Sequence, residues 1–322
     1  MSQKIKIGAC LYSYAKLFFT KEKNMDALIK EAKDNGFTGV TVVASQFARG
    51  YPDIPDEWLS ALRDSMKKYE MDPVSWEAYI DMGMRHDRDL NREEIIEFTR
   101  NDIVYAKKAG FSCVKTQQSI SPEIFAKMQP FCKKMGVKLA IEIHFPHNIH
   151  LPLWQNYLEI MKSSEGWLGI VPDMSIFQRY PHPLHIEQAV NDKECRREKI
   201  EQILARWDLK LKMDTVKDLE LNERENMYAE EFYEKNGCPS DPEDLLKMLP
   251  YAHMIHGKFY YLGEDKKDSC IPQDVLMKYI KESGYEGYIA AEYEGHHFSI
   301  KEDERVQMTR YREMVQGLLE ES

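Results

Sequence analysis

The sequence predicts an α/β protein, a closed (β/α)8 TIM barrel with a long helical insertion between strands 6 and 7, with residues 1–322 forming a single domain. Three observations predict it. The chain repeats one unit, in which an amphipathic helical stretch ends at Gly and leads into a short apolar, β-branched run. Eight such runs occur, nearly all separated by helical segments; this alternation implies a parallel sheet, and eight units in a chain of this length match a barrel. No glycine-rich phosphate fingerprint follows the first strand, which removes the commonest nucleotide-binding form of the alternative, an open doubly wound sheet.

The elements follow in order. The first strand is 5–9, inside Lys4-Ile-Lys-Ile-Gly-Ala-Cys10, whose alternation of charged and apolar residues reads as a strand and not as a secretion signal. Residues 24–35 have a helical period, and Gly36-Phe37 leads into strand 40–44. The third strand is 73–79. Residues 93–109 are helical, and Gly110-Phe111 leads into strand 113–116. Ser121-Pro122 opens a helix to Met135, and Gly136 leads into the fifth strand, which carries Glu142. Residues 153–162 are helical, and Gly166 leads into strand 168–173. Between residues 177 and 249 the rhythm breaks. Residues 191–208 and 219–235 read as helices, and 209–213, although alternating, reads as helix between helical flanks. An insertion here lies above the C-terminal face of a barrel, over the active site. The seventh strand is 254–260. Ile271-Pro272 opens a helix over 273–283, and Gly284-Tyr285 leads into strand 288–292.

Composition bounds the function. Hydrophobic content of 43% and charged content of 30% describe a globular chain with no stretch near the length of a bilayer span. The six cysteines form no CxxC pair, so structural zinc and a disulfide framework are not expected, and reduced thiols in a cytoplasm are. A net charge of −10 argues against a nucleic-acid partner.

The late strands carry the chemistry. Glu142 and His144 lie two residues apart in Ala140-Ile-Glu-Ile-His-Phe-Pro146, on one face of a strand end. Asp173 ends the sixth strand, His256 lies in the seventh, and Glu292 and Glu294 end the eighth. These four strands are neighbours in a barrel, so the side chains converge. Each residue alone has an ordinary reading: a rim carboxylate, a hydrogen-bonded core histidine, or, for Asp173, a helix cap. Together, unpaired, they would repel, which favours a metal. Carboxylates with one imidazole and no thiolate suit Mn²⁺, Mg²⁺ or Co²⁺. His144 then remains as a general base. Lys115, Gln117, Lys258 and Glu294 are candidate substrate contacts, with Trp76 and Glu77 at the end of strand 3 as lesser candidates. His147, His150, His182 and His185 fall in loops and are expected to be solvated.

These residues resemble the xylose isomerase-like superfamily of sugar isomerases and epimerases. The matching segments are Ala140-Ile-Glu-Ile-His, Val171-Pro-Asp-Met, Met254-Ile-His-Gly-Lys and Ala290-Ala-Glu-Tyr-Glu-Gly. The resemblance implies a metal held by Glu142, Asp173, His256 and Glu292, with Glu292 preferred to Glu294 because it directly follows the apolar run. Ketose epimerases of this superfamily often carry a second His three residues after the aspartate. Ile176 stands there, His144 has appeared beside Glu142, and the 177–249 insertion is longer than in a minimal epimerase. In these respects the chain looks like the C-glycoside deglycosidase α subunits.

That branch implies a lyase that splits 3-oxo-C-glucosides of plant flavonoids by β-elimination, with Mn²⁺ as the cofactor expected first and a small β subunit as partner in an oligomer. A ketose isomerase or epimerase, or an inosose dehydratase, would use the same parts. A non-catalytic barrel predicts no base near the metal. A DNA-repair endonuclease predicts a basic groove, which the charge disfavours.

Overall fold

The computed structural model describes residues 5–236, 240–298 and 302–321. Lys4 and Cys238 lie outside them. Eight strands form one sheet: β1 (Lys6–Cys10), β2 (Gly39–Val43), β3 (Asp72–Glu77), β4 (Cys113–Thr116), β5 (Lys138–Ile143), β6 (Leu168–Pro172), β7 (Ile255–Phe259) and β8 (Tyr288–Tyr293). Neighbouring strands pair in parallel, in the order β6-β5-β4-β3-β2-β1-β8-β7. Two parallel bridges, Ile170 to Ala252 and Asp173 to His256, close the ring between β6 and β7. β2, β4, β6 and β7 are buried along their whole length, as strands covered on both faces must be.

The helices between strands sit where the glycine punctuation puts them. Asn91 and Glu94 form a capping box at the start of Arg92–Ala109, and Gly110 ends that helix at φ 94°. Ser121 caps Pro122–Met135, with Gly136 at φ 70° closing it. The longest helices that escape the sequence pattern are Asp56–Lys68 and Glu304–Glu320. The second lies against β7 and needs Gly257: a Cβ there would overlap the hydroxyl of Tyr311, whose ring stacks on Phe259 at 4.4 Å.

The insertion is helical but divided differently from expectation. Its longer helices are Pro183–Asn191, Arg197–Asp208 and Glu223–Asn236, with a 3-10 segment at Met213–Leu219 and a short helix at Leu245–Met248. The expected helix over 209–213 is absent, because the preceding helix stops at Leu209 and Lys210 adopts φ 58°. The Lys210 and Leu211 amides then fold back onto the Trp207 and Arg206 carbonyls, and Leu209 and Leu211 are left exposed. The insertion has its own apolar cluster of Ala189, Cys195, Ile200, Ile203, Val216 and Phe232, distinct from the barrel core. Buried Glu225 staples it, accepting from Arg196 Nε at 2.8 Å and from the Arg196 and Asn222 amides at 2.9 Å.

Candidate functional site

Strand alternation aims one set of side chains into the barrel mouth. Glu142 comes from β5, Asp173 from just past β6, His256 from β7 and Glu292 from β8, and all four are buried. One ligand atom from each lies within 4.8 Å of the others. His256 Nδ1 is 2.7 Å from Glu142 Oε1 and 3.1 Å from Glu292 Oε2. On the other side of the ring, Nε2–H of His256 donates to Glu77 Oε1 at 2.9 Å, which turns Nδ1 toward the carboxylates.

Three atoms test whether a cation fits. His256 Nδ1, Asp173 Oδ2 and Glu292 Oε2 are buried and make no hydrogen bond; their close polar contacts are ion pairs within the cluster and with Lys258. Buried polar atoms that make no hydrogen bond are costly, and these three belong to three of the four clustered residues. A set of oxygens plus one imidazole suits a Mn²⁺, Mg²⁺ or Co²⁺ ion. The residues fit the group.

Electrostatics around the cluster point the same way. Burial pushes the Glu142 carboxyl up, but Lys115 and His256 outweigh it and hold the group below the usual carboxylate range. Burial likewise opposes Glu292, which His256 and Lys258 hold well below that range. Asp173 has less cationic support: burial lifts it to about 6 against the pull of Lys258. Its Oδ1 accepts from the Ser175 amide at 2.7 Å, so Asp173 also caps the turn Met174–Phe177 and leaves only Oδ2 for a ligand.

The remaining candidates divide. A cavity of about 390 Å³ opens above the cluster, lined in part by Gln117, His144, Lys258 and Glu294. Lys258 Nζ lies 2.7 Å from Glu294, 2.9 Å from Glu292 and 3.4 Å from Asp173. Gln117 donates to Glu142 Oε2 at 3.0 Å. His144 Nδ1–H donates to the Phe145 carbonyl at 2.7 Å, which leaves Nε2 as the basic nitrogen. Lys115 is not among the described residues that line the cavity. It lies beneath the cluster, 3.1 Å from Glu142 and 3.4 Å from Glu77, and donates to the Tyr79 hydroxyl. Trp76 faces away from the mouth and donates to Asp102 at 2.9 Å. His182, expected in solvent, is buried, and its Nδ1 accepts from the Leu184 amide.

Sequence reasoning gave Glu77 a minor place and missed Tyr12, Tyr79, Ser175 and Tyr260, all of which line the cavity. Tyr79 could have been found, since it lies two residues beyond Glu77 and continues the inward face. Tyr12 and Ser175 follow strands in short 3-10 turns, where no period marks direction.

Residues 29–314 match the model of a family described as xylose isomerase-like TIM barrel. A 3'-dehydrocarminate deglycosidase alpha subunit from a Microbacterium species is 27% identical over 320 residues, covering 92% of this chain and 90% of its own. A C-glycoside deglycosidase alpha subunit from Arthrobacter globiformis is 26% identical over 327 residues, covering 92% of this chain and 86% of its own. A sugar phosphate isomerase/epimerase from Parabacteroides distasonis superimposes with a TM-score of 0.59 at 11% identity, covering 99% of this chain and 96% of its own, a likeness of fold alone.

Proposed function

The chain belongs to the xylose isomerase-like TIM barrel family, and from that premise we propose that it is the catalytic subunit of a metal-dependent carbon–carbon lyase that cleaves 3-oxo-C-glucosides by β-elimination. The observation that carries this reading is the convergence of Glu142, Asp173, His256 and Glu292, with three buried ligand atoms that make no hydrogen bond, beside a cavity that His144 also lines. The names of the two similar deglycosidase subunits supply the substrate class and a small β subunit as partner.

A C–C glycosidic bond offers no bridging oxygen to protonate, so acid-assisted departure of an alkoxide is closed. A ketone at C3 makes the C2 proton acidic. His144 Nε2 takes that proton, and its Nδ1–H bond to Phe145 holds the tautomer. The electron pair released at C2 forms the C1=C2 bond as the bond from C1 to the aromatic carbon breaks. The aromatic carbon keeps the electron pair of the bond that breaks and takes up one proton, which protonated His144 returns, so the products are the free aglycone and an unsaturated keto sugar. A divalent cation held by Glu142, Asp173, His256 and Glu292, Mn²⁺ first among candidates, supplies Lewis-acid stabilisation of negative charge on the sugar oxygens. Lys258 and Glu294, 2.7 Å apart on the cavity wall, are placed to bind sugar hydroxyls. The five described cysteines are free and buried, which suits a reducing cytoplasm.

The test is product analysis. The chain, co-expressed with any small protein encoded beside it, is given Mn²⁺ and a 3-oxo-C-glucoside of a flavonoid. Release of free aglycone that a chelator abolishes is the expected result. Intact substrate, with turnover of free ketoses or keto-inositols, would move the assignment to an isomerase, epimerase or dehydratase.

A further inference from the structure

A second cavity, of about 210 Å³, adjoins the first. Phe145 and Tyr260 line both. The insertion and the chain leading into it supply much of the rest, including Gln178, His185, Tyr228 and Phe232. Half of the lining carries rings, and Lys193 and Glu231, 3.6 Å apart, give the cavity a charged edge. The Tyr228 and Phe232 rings lie parallel, 6.1 Å apart, and His185 meets Tyr260 edge-on at 4.9 Å. Two polar atoms of these lining residues are buried with no hydrogen-bond partner, Gln178 Oε1 and Tyr228 Oη. Gln178 as a whole is only 4% exposed. Buried acceptors left open in an aromatic enclosure mark a place that a ligand completes.

We propose that this cavity is the subsite for the phenolic ring of the leaving group. A flat hydroxylated ring packs against the aromatic walls and donates to Gln178 Oε1, while Tyr228 Oη bonds a second hydroxyl. The sugar lies in the charged cavity, and the bond to be broken crosses at Phe145 and Tyr260. Size permits this: an apolar cavity of roughly 150 Å³ admits benzene, so the larger space admits a ring with hydroxyls. A purely apolar ring is disfavoured, because it leaves both polar atoms open. The leaving-group role rests on the lyase reading above, whereas phenol binding does not.

The experiment is calorimetric titration of the full chain, loaded with Mn²⁺, with phloroglucinol (1,3,5-trihydroxybenzene). It compares the wild type with Gln178→Met, Tyr228→Phe and His144→Ala. The first two are expected to weaken binding roughly fivefold each, the loss of one neutral hydrogen bond, and His144→Ala to leave it unchanged. Tyr228→Phe should not lower the unfolding temperature, since its hydroxyl has no partner to lose. Equal affinity in the wild type and both cavity variants, or no binding to the wild type at millimolar ring, overturns the subsite. If no aglycone is released from a 3-oxo-C-glucoside while ring binding still depends on Gln178 and Tyr228, the lyase reading falls and the subsite stands. If aglycone is released with the same KM in both cavity variants, the subsite falls and the lyase reading stands.

Discussion

His256 takes its position from Glu77. The Nε2–H···Oε1 bond of 2.9 Å fixes the ring, and Glu77 is itself held by Lys115 at 3.4 Å. A carboxylate behind a metal-binding imidazole both orients it and raises its basicity. Glu77→Gln keeps the size and one acceptor but loses the charge. Mn²⁺ affinity measured by calorimetry should fall roughly 10- to 100-fold; unchanged affinity would mean that Glu77 only neutralises Lys115. His144→Ala is expected to behave in the opposite way. Turnover should be lost while Mn²⁺ binds as in the wild type, because His144 lines the cavity without belonging to the cluster. Loss of metal together with activity would undo this division of roles. Both residues were visible in the sequence, but only His144 was given weight. Glu77 comes from a strand opposite the late four in the ring, and nothing in a linear pattern says that it reaches across to His256.

Helix Arg92–Ala109 shows what packing adds to pattern. Its period and its Gly110 terminus are legible in the sequence, yet its burial of a carboxylate is not. Asp102 is 1% exposed, accepting from Trp76 Nε1 at 2.9 Å and lying 3.2 Å from the Tyr51 hydroxyl. Burial lifts its pKa to about 7 against the ordinary 3.8. The folded state therefore holds this proton more tightly than the unfolded chain. The resulting stability is fully present below the unfolded value and is lost as pH rises through about 7, with an upper bound of about 4 kcal/mol. Asp102→Asn keeps the acceptor for Trp76 and removes the titration. Unfolding temperatures followed between about pH 5 and 8 should fall more steeply in the wild type than in Asp102→Asn; parallel curves would sink the assignment. The insertion was the least legible element. Its apolar residues face a small core of their own and not the barrel, so the stripe that marks a helix boundary is weak, and Leu209 and Leu211 face solvent where a periodic reading expects burial.

Across the whole molecule, the candidate metal site coincides with the seam of the barrel. The sheet runs continuously from β6 round to β7, and among the described residues two bridges join its ends. Glu142 and Asp173 stand on one side of that seam, His256 and Glu292 on the other. The barrel was legible because its strands are repeated and evenly punctuated. The place where it closes was not, because closure is a contact between two segments separated by the whole insertion. An ion in the cluster would tie the two ends together and relieve the repulsion among three buried carboxylates. At 100 times its dissociation constant such an ion adds about 2.7 kcal/mol. Mn²⁺ should therefore raise the unfolding temperature by several degrees, and a chelator should reverse the gain. The seam makes a sharper prediction. Amide hydrogen exchange should slow most in β6 and β7 on adding Mn²⁺, and less in β2 and β3, which carry none of the four ligands. Uniform slowing would mean that the ion stabilises the fold without acting as a clasp, and no change in exchange or unfolding temperature with Mn²⁺, Mg²⁺ or Co²⁺ would mean that the cluster holds no metal.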